Sequence, residues 1–192
     1  MLRKVGQATL KGVRATVGPT GIPNSAYRFY GKSNSYVQFP KVDTKSSTTL
    51  IAWVKPEKPG PIFNYQINGW GVHLWVTNRR QLFVRFVKRN GGFTHPVIAN
   101  VLRPNRWNYI AATYSRNSGR ASLWKNGHRV GTRLIGRIVL KTQYPARMGA
   151  RIGDGRYFRG CISCMQVYGR VLTGREQKSV KYRCTPGKIS SC

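Results

Sequence analysis

Three stretches of this 192-residue chain concentrate groups that could do chemistry on an anion. Arg79, Arg80, Arg85 and Arg89 lie in or beside the run Gln81-Leu-Phe-Val-Arg-Phe-Val-Lys-Arg89. Arg120, Lys125, Arg129, Arg133 and Arg137 form a second set, and Arg151, Arg156 and Arg159, with Arg147, surround the turn Gly153-Asp154-Gly155. A guanidinium offers a planar fork of donors that grips phosphate, sulfate, carboxylate or carbonate in two places, where an ammonium acts as a point charge. Arginine outnumbers lysine 21 to 13, and 34 Lys and Arg face only 4 Asp and Glu, giving a net charge of +30. That surplus repels itself in a compact chain unless a polyanion, an anionic surface or an acidic partner takes it up. The three sets are therefore candidate polyanion- or mineral-binding groups. The plain alternative is a solvated basic surface, or for the 120–137 hairpin an edge that discourages strand pairing.

The acids argue against catalysis. Asp43, Glu57, Asp154 and Glu176 are scattered, so the paired carboxylates of glycan hydrolysis and an all-carboxylate metal cage both lack material. Thr173-Gly-Arg-Glu176 has the form of a helix capping box, which accounts for Glu176. His73, His95 and His128 have no metal-ligand spacing, and no Gly-x-Ser-x-Gly elbow occurs. No catalytic residue and no metal site are expected.

Cys161, Cys164, Cys184 and Cys192 crowd the last part of the chain. An even set reads as two disulfides or a four-thiolate zinc site. Cys161 and Cys164 lie in an apparent strand, where alternation sends residues three apart to opposite faces, so they would not converge on one ion. Two disulfides are expected, with three connectivities open, and they imply an oxidising compartment. Residues 1–17 are basic with no continuous apolar core, unlike a secretory signal. The chain is read as a piece of a larger secreted precursor, with Met1 added for expression. No run of 18 apolar residues occurs, so no membrane span is expected.

These residues must be positioned by strands. Turn residues recur between β-branched and aromatic runs at 27–30, 35–39, 48–54 (closed by Pro56), 61–66, 70–76, 81–88, 107–114, 120–125, 128–133, 147–152 and 160–168. Asn126-Gly127 is a strong two-residue hairpin signal. In 81–89, Leu82, Val84 and Phe86 share one face and Phe83, Arg85, Val87 and Arg89 the other. Arg129 and Arg133 have the parity of a one-sided ladder if their strand is regular. One short helix is expected near 173–180. The pattern predicts an all-β sandwich or barrel, of which a single two-sheet antiparallel sandwich over 23–192 with a stapled C-terminal tail is preferred, preceded by a basic arm at 1–22. Trp53 and Trp107 read as core, while Trp70, Trp75 and Trp124 either line a groove or pack between the sheets.

Four segments together resemble the laminin-G-like family of concanavalin-A-like jelly rolls. They are Ser25-Ala-Tyr-Arg-Phe-Tyr-Gly-Lys-Ser-Asn-Ser-Tyr-Val-Gln-Phe-Pro40; Thr48-Thr-Leu-Ile-Ala-Trp-Val54 with Gly60-Pro-Ile-Phe-Asn-Tyr65; Arg106-Trp-Asn-Tyr-Ile-Ala-Ala-Thr-Tyr114 through Ala121-Ser-Leu-Trp-Lys-Asn-Gly127; and Ile152-Gly-Asp-Gly-Arg-Tyr-Phe-Arg-Gly160 through Val171-Leu-Thr173. Within the family the likeness is to domains of invertebrate extracellular and skeletal matrix proteins such as the nacre framework protein Pif. The resemblance implies a secreted matrix module that binds acidic proteins or anionic polysaccharides, with chitin or calcium carbonate as further partners. It implies pairing of Cys164 with Cys184, leaving Cys161 with Cys192. Calcium is the one cofactor it leaves open, and a charge of +30 opposes it. The competing readings are a general glycosaminoglycan-binding module and a nucleic-acid-associated basic protein. Against the latter stand the clustered cysteines and the absence of any RRM, KH or zinc-finger signature.

Overall fold

A computed structural model describes residues 8–65 and 70–184. Two seven-stranded antiparallel sheets face each other. The first sheet runs in the order β1 (Thr9–Lys11), β4 (Tyr36–Phe39), β13 (Ala146–Met148), β6 (Gly60–Tyr65), β7 (His73–Asn78), β8 (Gln81–Arg85) and β9 (Val97–Asn100). The second runs β12 (His128–Leu134), β11 (Arg120–Lys125), β10 (Asn108–Ser115), β5 (Thr48–Lys58), β14 (Arg159–Tyr168), β3 (Ala26–Tyr30) and β2 (Val13–Thr16). This is the two-sheet sandwich expected from the strand pattern, in the jelly-roll form that the resemblance implies. The inward positions of both sheets, among them Phe29, Leu50, Leu74, Leu82, Val84, Ile110 and Leu123, form one buried core.

Local chemistry explains most of the elements. Asn126 and Gly127 both take positive φ (53° and 74°), the twist-matched turn that joins β11 to β12. Thr173 caps the helix α1 (Gly174–Ser179) with a full capping box: its side chain accepts from the Glu176 N–H, and the Glu176 carboxylate accepts from the Thr173 N–H. Thr173→Ala is expected to lower stability by about 1 kcal/mol in chemical denaturation.

Several expectations are revised. The strand at 48–54 does not stop at Pro56 but runs to Lys58: β10 pairs with it only as far as Val54, and beyond that the Asn105 N–H donates to the Pro56 carbonyl (2.9 Å), a contact that asks for no N–H from the proline. The strand expected at 147–152 is only Ala146–Met148, ended by Gly149 at φ 86°. Residues 9–16, within the segment expected to be an arm, pair as edge strands: β1 with β4 and β2 with β3. Gly12 (φ 55°) lets the chain cross between sheets there, so one short turn feeds both.

The cysteines show a further difference. Ile162 enters the core, so its neighbours Cys161 and Ser163 face outward. A bulge between Ser163 and Gln166, with Cys164 at φ 49°, turns Cys164 outward as well. Alternation alone placed these two cysteines on opposite faces. Cys164 joins Cys184, the pairing the resemblance implies. Cys161 is buried and has no disulfide among the described residues, and Cys192, its expected partner, lies outside them.

Candidate functional site

The two sheets have unlike outer faces. On the second sheet, Ile51, Trp53, Tyr109, Ala111, Tyr168 and Leu172 form an apolar layer covered by α1 and the turn after it. Trp53 donates its indole N–H to the Lys181 carbonyl (3.1 Å), and Tyr109 its hydroxyl to the Gln177 carbonyl (2.5 Å). Trp124, half-buried, packs against this layer and donates to Thr113 Oγ1 (2.9 Å), on the outer side of the second sheet and not between the sheets. Trp53 belongs to this outer layer and not to the inner core.

The outer face of the first sheet is built differently. Strand register there lines up two rows. Gln38, Arg147, Asn64, His73 and Arg85 stand opposite one another across β4, β13, β6, β7 and β8. Beside them Pro61, Trp75, Phe83 and Ile98 do the same across β6, β7, β8 and β9. Directly opposed residues share a face, so a polar, basic row runs beside an apolar one. A bulge in β6 between Pro61 and Phe63 lets both Pro61 and Asn64 face out.

Guanidinium groups lie over rings across this face. Arg85 stands between Phe83 (5.4 Å to the centroid) and Phe93 (5.6 Å). Arg151 lies 4.0 Å over Trp70, and Arg156 lies 4.5 Å over Trp75 and 5.8 Å from Trp70. Arg147 covers Tyr36 at 3.9 Å and donates to Gln38. Each such contact stabilises by roughly 0.5–2 kcal/mol depending on desolvation. The rings contact one another through His73, which stacks on Phe83 (5.7 Å, 17°) and meets Trp70 at 4.8 Å.

His73 is 3% exposed, and its ring nitrogen Nδ1 lies 2.7 Å from the Gly71 carbonyl. Burial pushes its imidazolium down to about 4, and Arg85, Arg151 and Arg156 push the same way against that hydrogen bond. It is neutral at pH 7, and its one proton sits on Nδ1, since only a donor can pair with a carbonyl. Asp154 accepts from Arg156 Nε (2.9 Å), Nη2 (2.6 Å) and backbone N–H (2.9 Å). Those bonds hold its carboxyl below the usual range although burial opposes them. Asn64 donates to the Arg147 and Ala150 carbonyls (3.2 and 3.3 Å), which fixes the backbone leading into Arg151.

Of the sequence-predicted cations, the structure gathers Arg85, Arg151 and Arg156 in this cluster, with Arg147 beside it. The others fall elsewhere. Arg79 and Arg80 are exposed at the β7–β8 turn. Arg89 does not share the Arg85 face, because β8 ends at Arg85 and Arg89 pairs with Asp43 at 3.1 Å. Arg159 pairs with Glu57 (3.3 Å), which also holds Arg28. Lys125 donates to the Val101 carbonyl, and Arg137 to that of Asn117. Arg120, Arg129 and Arg133 are exposed, but they form no one-sided ladder. A bulge in β12 sets Arg129 opposite Trp124 and Arg133 opposite the core residue Ala121, on different faces. The sequence reading missed His73, and it left Trp70 and Trp75 between two roles. The signal for the missed residues was present in the alternation His73-Leu-Trp-Val76, whose even positions fill the core.

The residues do not fit a calcium ion. All four carboxylates are described, and each is held by an arginine: Asp43 by Arg89, Glu57 by Arg28 and Arg159, Asp154 by Arg156, and Glu176 by Arg170. Among the described residues no three His, Cys, Asp or Glu gather.

The family described as the concanavalin A-like lectin/glucanases superfamily, of laminin-G type, matches residues 31–176, well over half of the chain. The chain belongs to this superfamily. Its sandwich resembles the binding domain of botulinum neurotoxin serotype G, with a TM-score of 0.73 and 14% identity over 92% of this chain and 46% of that one. It also resembles the binding domain of Paraclostridial mosquitocidal protein 1 (TM-score 0.73, 16% identity, 91% and 46%). The receptor-binding domain of a botulinum neurotoxin C/D mosaic gives 0.71 and 14% over 91% and 45%. At these identities the likeness is one of fold, and the chain spans less than half the length of each. No curated protein sequence gives a significant match.

Proposed function

We propose that this superfamily member is a non-catalytic, secreted matrix module that binds acidic proteins or anionic polysaccharides on the outer face of its first sheet. One observation carries the reading: a row of basic and polar residues beside a row of apolar ones on the outer face of the first sheet, overlaid in its middle by Trp70 and the 151–156 turn and open at Arg85, Phe83 and Ile98, with guanidinium groups laid over aromatic rings. An extended acidic glycan offers both matching parts, anionic substituents and apolar sugar faces. Chitin and calcium carbonate remain the further partners that the likeness to invertebrate matrix proteins suggests. A hydrolytic role lacks support, since a retaining or inverting pair needs two carboxylates facing one bond and here each is bound to its own arginine. The Cys164–Cys184 disulfide favours an oxidising compartment over a nucleic-acid setting. No helix among the described residues is long and apolar enough to cross a membrane.

The test is retention on heparin, chitin, calcite and DNA supports across a salt series. Three engaged arginines correspond to a loss of affinity for heparin of about 40-fold between 50 and 200 mM salt, taking the slope of duplex DNA as the guide. Flow-through on heparin, chitin and calcite at 50 mM would sink the reading, and tighter retention on DNA than on heparin would replace it.

A further inference from the structure

The centre of the first sheet's outer face, packed under Trp70 and the 151–156 turn, is rich in donors and short of acceptors. Arg85 approaches His73 from β8, directly opposite it in register, while Arg151 and Arg156 approach from the 151–156 turn across Trp70. Each guanidinium lies against a ring that itself contacts His73, Arg85 against Phe83 and Arg151 and Arg156 against Trp70, so the three charges flank that histidine. Asp154 is the one carboxylate there. Its side chain is 8% exposed, and both of its oxygens are occupied by Arg156. With His73 neutral, the spot keeps a net charge of about +2, from three guanidiniums and one carboxylate.

Among the described residues, two buried donors there lack a partner, namely Arg85 Nε and the indole Nε1 of Trp75, itself 3% exposed. Buried polar groups are nearly always satisfied, so each orphan asks for an acceptor. The guanidiniums are held in advance: Arg85 between two phenyl rings, Arg156 by Asp154, and Arg151 on Trp70 with its side chain 9% exposed. Little ordering remains to be done when an anion arrives.

We propose that this spot is a preformed seat for a single ionised oxyanion carried on a sugar ring, a sulfate ester or a uronate carboxylate, with half-buried Phe83 and exposed Ile98, at the open end of the apolar row, as the platform for the sugar's apolar face. The inference rests on the acidic-ligand reading above and sharpens it to atoms. An oxyanion supplies only acceptors, which suits orphan N–H donors. A neutral sugar would leave the guanidiniums unmatched, and a divalent cation would be repelled.

The experiment uses the whole oxidised chain and three tetrasaccharide probes: fully sulfated heparin, desulfated heparin that keeps its uronate carboxylates, and chitin. Affinity is read by tryptophan fluorescence and calorimetry at 50 mM salt, alongside a DNA oligonucleotide. Arg85→Lys keeps the charge but loses the fork and its Nε donor, while Trp75→Phe keeps a ring and loses the N–H. Each is expected to weaken the sulfated probe about 5- to 10-fold. Arg175→Gln with Lys178→Gln removes two charges from the covered side and is expected to change affinity less than 2-fold. Retained binding of the desulfated probe assigns the seat to carboxylate, and its loss assigns it to sulfate. Wild-type affinity in both Arg85→Lys and Trp75→Phe overturns the seat while leaving the acidic-ligand reading standing. Equal weakening by the Arg175/Lys178 pair does the same, since binding would then follow net charge. Equal binding of chitin also overturns the seat, as does tighter, Arg85-dependent binding of DNA. Absence of binding to every acidic probe removes both. Should Arg85→Lys fail to fold, Trp75→Phe alone decides.

Discussion

Alanine at Gly60 is expected to destabilise the protein by about 3 kcal/mol or more and to weaken ligand binding in whatever fraction still folds. Gly60 opens β6 at φ 150°, a backbone region that side chains rarely enter. A methyl group there would lie 2.5 Å from Phe158 Cα and 2.7 Å from the Tyr157 carbonyl carbon, and closer still to Phe158 N. These are backbone atoms, so no side chain can swing aside. The segment that must move is also the one that leads out of the Asp154–Arg156 turn. It is anchored on both sides, because Phe158 N donates to the Gly149 carbonyl (2.9 Å) and Gly31 N to the Phe158 carbonyl (3.1 Å). Displacing it shifts Arg156 off Trp75, which ties stability to the site. Gly153→Ala is the control. That glycine is also left-handed (φ 69°), but nothing lies within 4 Å of its missing methyl, so the cost should stay near 1 kcal/mol, about what φ alone demands. Urea unfolding of both variants, with heparin affinity measured on each, checks the claim. Equal losses would mean that crowding at Phe158 contributes nothing.

The features legible in the sequence are those fixed by neighbours along the chain. Asn126-Gly127 names its own turn, and Thr173 with Glu176 names its cap. Leu82, Val84 and Phe86 do share a buried face, as their spacing says. The site is of another kind. Arg85 stands opposite His73, and Trp75 opposite Phe83, because of how β7 and β8 align, while Asn64 and Arg147 join through strands far apart in sequence. No local pattern carries that register. Bulges defeat alternation most directly. One in β12 separates Arg129 from Arg133, and one in β14 turns Cys164 to the side of Cys161. Edge strands escape for a simpler reason. Three or four residues around Gly12, with Lys11 and Arg14 exposed, have too little apolar pattern to distinguish a strand from a basic arm. The four-residue β9 escapes in the same way.

His73 makes the second large prediction, a loss of about 3 kcal/mol of stability between pH 7.5 and pH 4. In the unfolded chain an imidazole takes its proton near pH 6.5, whereas in the fold burial holds it off until about pH 4. Across that window the unfolded chain binds more protons than the native one, so stability rises with pH and drains as pH falls. The groups facing His73 deepen the effect, because Arg85, Arg151 and Arg156 all disfavour a further positive charge, and Asp154 is already bound to Arg156. The acids contribute separately. Asp43 and Asp154 are held below their ordinary value of 3.8, so their share is lost only as pH falls through still lower values, after the histidine step. His73→Asn keeps a donor near the Gly71 carbonyl and cannot titrate. It should flatten the profile between pH 7.5 and 4.5 while leaving the acid limb intact. Denaturant midpoints of both proteins across that range decide the matter, and a flat wild-type curve would mean the ring is solvated. An oxyanion beside His73 would favour the charged ring and raise its folded value. By linkage the same anion would then bind more tightly as pH falls toward 5, so acid should weaken the free protein and strengthen its complex.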